Sequence, residues 1–84
     1  MNEKIYNNTI IFHPGRYIED IIDDMGITQS EFAKKLNITE NTLGQLINGL
    51  IPLSEDLAEK LSKLTGTSTK LWLNLQQKYD EVTQ

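Results

Sequence analysis

The chain has 84 residues, no cysteine and a formal charge of −4, from eight lysines plus arginines against twelve aspartates plus glutamates. This length suits one small domain with a thin core, and the lack of cysteine excludes disulfides and thiolate metal sites. The acidic balance is unlike that of a generic nucleic-acid binder, which carries a basic face. No apolar run approaches the roughly 18 residues of a membrane span. The N-terminus MNEKIYNNTIIFHPG has no basic region followed by a long apolar stretch, so no secretory leader is expected and a cytoplasmic location is.

In chain order, Asn7, Asn8 and Thr9 suggest a turn, and Ile10, Ile11 and Phe12 a short extended piece; residues 1–12 are expected to form an irregular arm. A helical pattern begins at Pro14, a residue suited to a first turn. Tyr17, Ile18, Ile21, Ile22 and Met25 recur at helical spacing as one apolar face, with Glu19, Asp20, Asp23 and Asp24 largely opposite. Gly26 is placed as a C-cap. Thr28 with Glu31 three residues on makes a capping box, and Phe32, Ala33 and Leu36 are the buried face of a short helix ending near Asn37. Thr39 caps a third helix with Leu43, Leu46 and Ile47 inward, closed by Asn48 and Gly49. After the connector Leu50-Ile-Pro-Leu53, Ser54 caps a fourth helix whose apolar face is Leu57, Ala58, Leu61 and Leu64, with Glu55 and Asp56 favourable to its dipole. Gly66 stops it. Ser68 or Thr67 caps a fifth helix to about Val82, with Leu71, Trp72, Leu75, Tyr79 and Val82 on one side. Leu73 falls off that stripe and hints at a second contact surface. The expected fold is all-α, five helices with no sheet.

The second and third helices have helix-turn-helix spacing. Gln29 opens the first of them, Ala33 is small where two helices must cross closely, Asn37 sits at the turn, and Leu43 and Leu46 fall at core positions. Glu40, Asn41, Thr42, Gly44, Gln45 and Asn48 then face outward. Asparagine and glutamine can bond adenine in a bidentate manner, and threonine can meet a thymine methyl. Thr28 and Gln29, at a helix N-terminus, suit a phosphate oxygen, and Lys34 or Lys35 could add a phosphate contact. Any one of these polar residues alone is equally consistent with a solvated surface.

The run from Gln29 to Gly49 resembles the helix-turn-helix of the Cro and lambda-repressor group (XRE). A narrower resemblance surrounds it: HPG at 13–15, ITENTLGQLINGL at 38–50 and above all GTSTKLWLNLQQKYD at 66–80 look like the HigA-type antitoxins, over about residues 13 to 82. The resemblance implies a lambda-repressor-like bundle that forms a homodimer through its C-terminal helix. It implies two activities: neutralising a cognate RelE-like mRNA-cleaving toxin, and repressing the toxin–antitoxin operon at a palindromic operator, with two recognition helices one turn apart. Gln29, Thr39, Glu40, Asn41, Thr42 and Gln45 match positions that touch DNA in the wider group, and Asn48 matches a helix-end position near the backbone. Gly44 and Leu50 depart from it, standing where relatives usually carry a polar and a basic residue. Glu40 has the wrong charge for DNA unless it accepts from a cytosine amine.

For the dimer contact, Leu71, Trp72, Leu73, Leu75 and Tyr79 are the candidates. The cluster Glu19, Asp20, Asp23 and Asp24 is either a solvated helix face or a dock for a basic RNase toxin. Those four carboxylates lack the spacing of a known metal loop. His13, the only histidine, has no nucleophile–base partner and reads as part of a helix start, so no enzyme, metal or cofactor is expected. A stand-alone repressor of phage or mobile-element type, with no toxin, is the competing reading, and the WLNLQ run favours the antitoxin. A pure interaction module that has lost DNA binding is a third reading, weaker than both.

Overall fold

The computed structural model describes the backbone of residues 3–6 and 9–82 and the side chains of residues 11–82. Two short strands, β1 (Glu3–Tyr6) and β2 (Thr9–Phe12), precede five helices: α1 (Pro14–Met25), α2 (Gln29–Leu36), α3 (Glu40–Ile47), α4 (Glu55–Thr65) and α5 (Thr69–Glu81).

Local chemistry accounts for the helix limits. In α2 to α5 the residue before the helix supplies a hydroxyl oxygen to an otherwise orphaned N–H. Thr28 accepts from Glu31, Thr39 from Thr42, Ser54 from Leu57 and Ser68 from Leu71. The fifth cap is therefore Ser68 and not Thr67. At α1 the cap is a ring: His13 Nδ1 accepts from Gly15 N–H at 3.0 Å. Asn37 closes α2 in the left-handed conformation at φ 59°, the one non-glycine among the described residues with positive φ.

The expected irregular arm is instead an antiparallel hairpin. Glu3 pairs with Phe12, Lys4 with Ile11, Ile5 with Ile10 and Tyr6 with Thr9. The expected turn at Asn7 and Asn8 lies outside the described residues. A lone two-stranded hairpin is marginal in water. Here β2 lies against α5 and α1, a support that local sequence does not reveal.

The core draws on every helix: Ile18 and Ile22 of α1, Phe32, Ala33 and Leu36 of α2, Leu43, Leu46 and Ile47 of α3, Leu57, Ala58 and Leu61 of α4, and Trp72 of α5. The apolar stripe expected on α1 is wider than its buried edge. Tyr17 and Met25 are 39% and 42% exposed, since the helix packs by its Ile18–Ile22 edge. Gly15 is where α1 meets α3: a Cβ there would overlap the Leu46 carbonyl oxygen and stand 2.8 Å from Ile47 Cα. Only glycine allows that approach.

A buried polar clasp ties α1 and α5 to the segment after α3. Gln76 Oε1 accepts from Leu53 N–H at 2.7 Å, and Gln76 Nε2 donates to Asp80 Oδ1 at 2.9 Å. His13 is buried, hydrogen-bonded to the Ile51 backbone, and meets the Tyr79 ring edge-on at 5.0 Å. Because Nδ1 accepts, the neutral ring carries its proton on Nε2. Burial holds the His13 pKa below its ordinary value, with the Ile51 bond and Asp80 pulling the other way.

Candidate nucleic-acid interface

The N-termini of α2 and α3 and the end of α3 border a concave, mostly polar groove of about 650 Å³, lined by Gln29, Glu40, Asn41, Gly44, Gln45, Asn48 and Leu50. Five of the expected DNA-contacting side chains, Gln29, Glu40, Asn41, Gln45 and Asn48, thus come together on one surface. The reason is helical geometry: Asn41, Gln45 and Asn48 follow at spacings of four and three, one stripe of α3. Leu43, Leu46 and Ile47 hold the opposite stripe in the core.

The other expected contacts are arranged differently. Thr28 is committed to its capping box: its Oγ1 accepts from Glu31 N–H at 3.1 Å, and its own N–H donates to Glu31 Oε1 at 3.0 Å. These bonds hold the Glu31 carboxyl below the usual carboxylate pKa, so an anionic group already occupies the start of α2. Thr39 donates its hydroxyl proton to Thr42 Oγ1 at 2.8 Å and accepts from Thr42 N–H at 3.0 Å. The Thr42 proton is left to point elsewhere, and Thr42 is the member of this pair with a donor to offer. Lys35 is absent from the groove. It lies at the other end of α2, lining a separate depression with Lys60 and Lys63, because six residues of helix carry it away from Gln29. Lys34 is exposed in the last turn of α2. Among the described residues no lysine or arginine lines this groove, and the single ionisable residue there is Glu40.

The expected dimer contacts divide. Trp72 is only 2% exposed and belongs to the core, so it is not available as a surface contact. Its Nε1 has no partner among the described residues. Leu73 and Leu75 are partly buried against the same core, and Tyr79 is partly buried beside His13. Leu71 is 49% exposed. It lines an apolar groove of about 350 Å³ between α1 and α5 with Tyr17, Ile21, Leu75 and the buried Trp72, and with Asp20 on the α1 side. Helical spacing in the sequence marked Trp72 as apolar, but burial depends on which side of α5 meets α4.

Glu19, Asp20, Asp23 and Asp24 are all exposed on α1. Arg16 stands 3.7 Å from Asp20 and stacks over the Phe12 ring at 5.0 Å. Among the described residues no group of three acidic or histidine side chains is gathered as for a metal ion.

Two residues escaped the sequence analysis as site components. Leu50 was noted as a departure and is a wall of the groove. Gln76 was not singled out within WLNLQ, although a polar residue at a buried helical position is a signal in its own right.

The helix-turn-helix family model matches residues 18–72. The virulence-associated protein A′ of Dichelobacter nodosus is 44% identical over 69 residues, 81% of this chain and 60% of that protein; the chain thus spans less than two thirds of its length. Among solved structures, an addiction module antidote protein of the HigA family from Coxiella burnetii aligns with TM-score 0.80 and 32% identity, over 87% of this chain and 80% of that one. The antitoxin HigA of Pseudomonas aeruginosa, solved with the higBA promoter, aligns with TM-score 0.81 and 27% identity, over 87% and 80%. With its groove built from α2 and α3 and these likenesses over most of its length, the chain belongs to the helix-turn-helix family, in the group of the HigA-type antitoxins.

Proposed function

We propose that the chain is the antitoxin of a type II toxin–antitoxin pair, one that neutralises a RelE-like mRNA-cleaving toxin and represses its own operon by binding a palindromic operator as a homodimer. The observation that carries this reading is the groove of Gln29, Asn41, Gln45 and Asn48 on a helix-turn-helix, in a chain similar to a HigA solved with its promoter. Amide side chains on one face of α3 match adenine edges in a major groove. Gln29 at the start of α2 fits a phosphate oxygen, and Lys34 and Lys35 add charge further along α2.

Dimerisation is supported by the α1–α5 groove. Tyr17 and Ile21 of α1 and Leu71 and Leu75 of α5 form apolar surface on each copy that a monomer leaves in water. Trp72 contributes beneath this surface and not at it. The acidic run Glu19, Asp20, Asp23 and Asp24 supports docking of a basic RNase, where opposite charge speeds encounter.

Phosphate neutralisation supplies much of the affinity of DNA binders, and among the described residues no cation lines the groove. The toxin complex therefore binds the operator more tightly than the antitoxin alone. The test is a titration of the chain's own promoter region, with and without the neighbouring gene product. Expected are binding to a palindrome, its loss on Gln45→Ala, and a gain on adding the toxin. Equal or weaker affinity of the complex would reject the toxin's contribution. No binding in either state would reject the repressor reading and favour an interaction module on a repressor fold.

A further inference from the structure

Among the described residues that line the groove, one has a large apolar side chain. Leu50 lines the groove beside Gln45 and Asn48 and is 72% exposed, against 49% or less for Tyr17, Met25 and Leu71. Its position is imposed by the closure of α3. Gly49 N–H donates to the Leu46 carbonyl at 3.1 Å and Leu50 N–H to the Gln45 carbonyl at 2.9 Å, with Gly49 in the left-handed region at φ 72°. This double bond pattern is the helix-ending motif that folds the chain back over the last turn. Leu50 is thus held against the groove by backbone bonds.

Gly44 lies on the same groove, on the face of α3 between Asn41 and Asn48. A Cβ built on it would meet nothing within 4 Å, so no packing constraint inside the chain demands a glycine here. Its effect is to leave room above the helix. Leu50 and the open space at Gly44 thus share a groove whose other walls are amides and the Glu40 carboxylate.

The major groove of DNA displays hydrogen-bonding atoms on every base pair but only one apolar group, the C5-methyl of thymine. A leucine in place of a cation neutralises no phosphate, so whatever it adds to recognition is apolar and tied to a base. We propose that Leu50, with the room left by Gly44, is a specificity-determining contact that seats the C5-methyl group of a thymine in each operator half-site. This rests on the groove being the DNA-reading face. It makes residue 50 a determinant of sequence and leaves the amides of Asn41 and Gln45 to read the neighbouring pairs.

The experiment starts by selecting the tightest-bound duplex from a random pool with the full chain. Each thymine of that duplex is then replaced singly by deoxyuridine, which removes the methyl group alone. One position per half-site is expected to lose about fourfold in affinity, the worth of one buried methyl. In Leu50→Ala that loss vanishes, thymine and deoxyuridine binding equally, while melting is unchanged because the side chain is exposed. In Leu50→Lys affinity rises on all sequences and the salt dependence steepens by about one counterion, again with no methyl preference. A methyl effect of equal size in Leu50→Ala, or no sensitive thymine at all, would overturn the assignment while leaving DNA binding intact. Selection of no duplex would overturn the DNA reading itself, and the methyl seat with it.

Discussion

His13 shows how much one residue can hold. Its Nδ1 caps α1, its other nitrogen faces the Ile51 backbone, and its ring meets Tyr79. Protonation would place an N–H at Nδ1 against the Gly15 N–H and end the cap. Burial depresses its pKa, so the unfolded chain binds a proton that the folded chain resists. Stability from this site is then fully present above the ordinary histidine pKa of about 6.5 and lost as pH falls from there. Thermal melting should decline between pH 7 and 5 in the native chain. His13→Asn, which retains a capping oxygen and cannot titrate, should melt lower at pH 7 and vary less across that window. An unchanged slope in the variant would remove His13 from this role. Glu31 acts in the same direction at lower pH, since its capping-box bonds to Thr28 are lost when the carboxylate protonates.

At the scale of elements, two features outside the helix-turn-helix fix the end of α3. The close approach at Gly15 sets α1 against Leu46 and Ile47, and Gln76 of α5 holds Leu53. Both lie within four residues of Asn48, Gly49 or Leu50, so they place the rim of the reading groove. Gly15→Ala forces backbone apart, an overpacking that costs about 1–3 kcal/mol, or about 4–8 °C in melting temperature for each kcal/mol in a domain of this size. Gln76→Leu keeps the volume but leaves the Leu53 N–H buried and unpaired, costing about 1–3 kcal/mol. Chemical denaturation would measure both. A loss below about 0.5 kcal/mol in Gln76→Leu would mean that water replaces the amide. The caps of α2 to α5 were legible from Ser and Thr positions, because a hydroxyl at an N-cap acts within three residues. The hairpin was not legible, because its support comes from α5, some sixty residues away in the chain.

For the molecule as a whole, charge and apolar surface are sorted by region. The carboxylates of Glu19, Asp20, Asp23 and Asp24 lie on α1, three lysines (Lys35, Lys60 and Lys63) surround one depression between α2 and α4, and the reading groove is nearly uncharged. An 84-residue chain with a thin core gains from covering its α1–α5 groove. The native chain should therefore run as a dimer in light scattering, and Leu71→Glu as a folded monomer with weaker operator binding, since half-exposed Leu71 can change without opening the core. A native chain that is monomeric, or a variant that stays dimeric, would place the interface elsewhere.

The sequence by itself determined what depends on neighbours along the chain: five helices, their caps, the inward stripes of α2, α3 and α4, the helix-turn-helix and the group it belongs to. These follow from hydroxyl positions, helical spacing and local turn residues, all of which act over a few residues. Tertiary structure decided what depends on which faces meet. It put Trp72 in the core and left Leu71 outside, turned Tyr17 and Met25 to the surface, and carried Lys35 away from Gln29. It also joined HPG and Gln76 into one clasp and set Leu50 into the reading groove. A helical repeat marks which residues share a stripe, but only packing chooses the stripe that is buried and the distant residues that share a site.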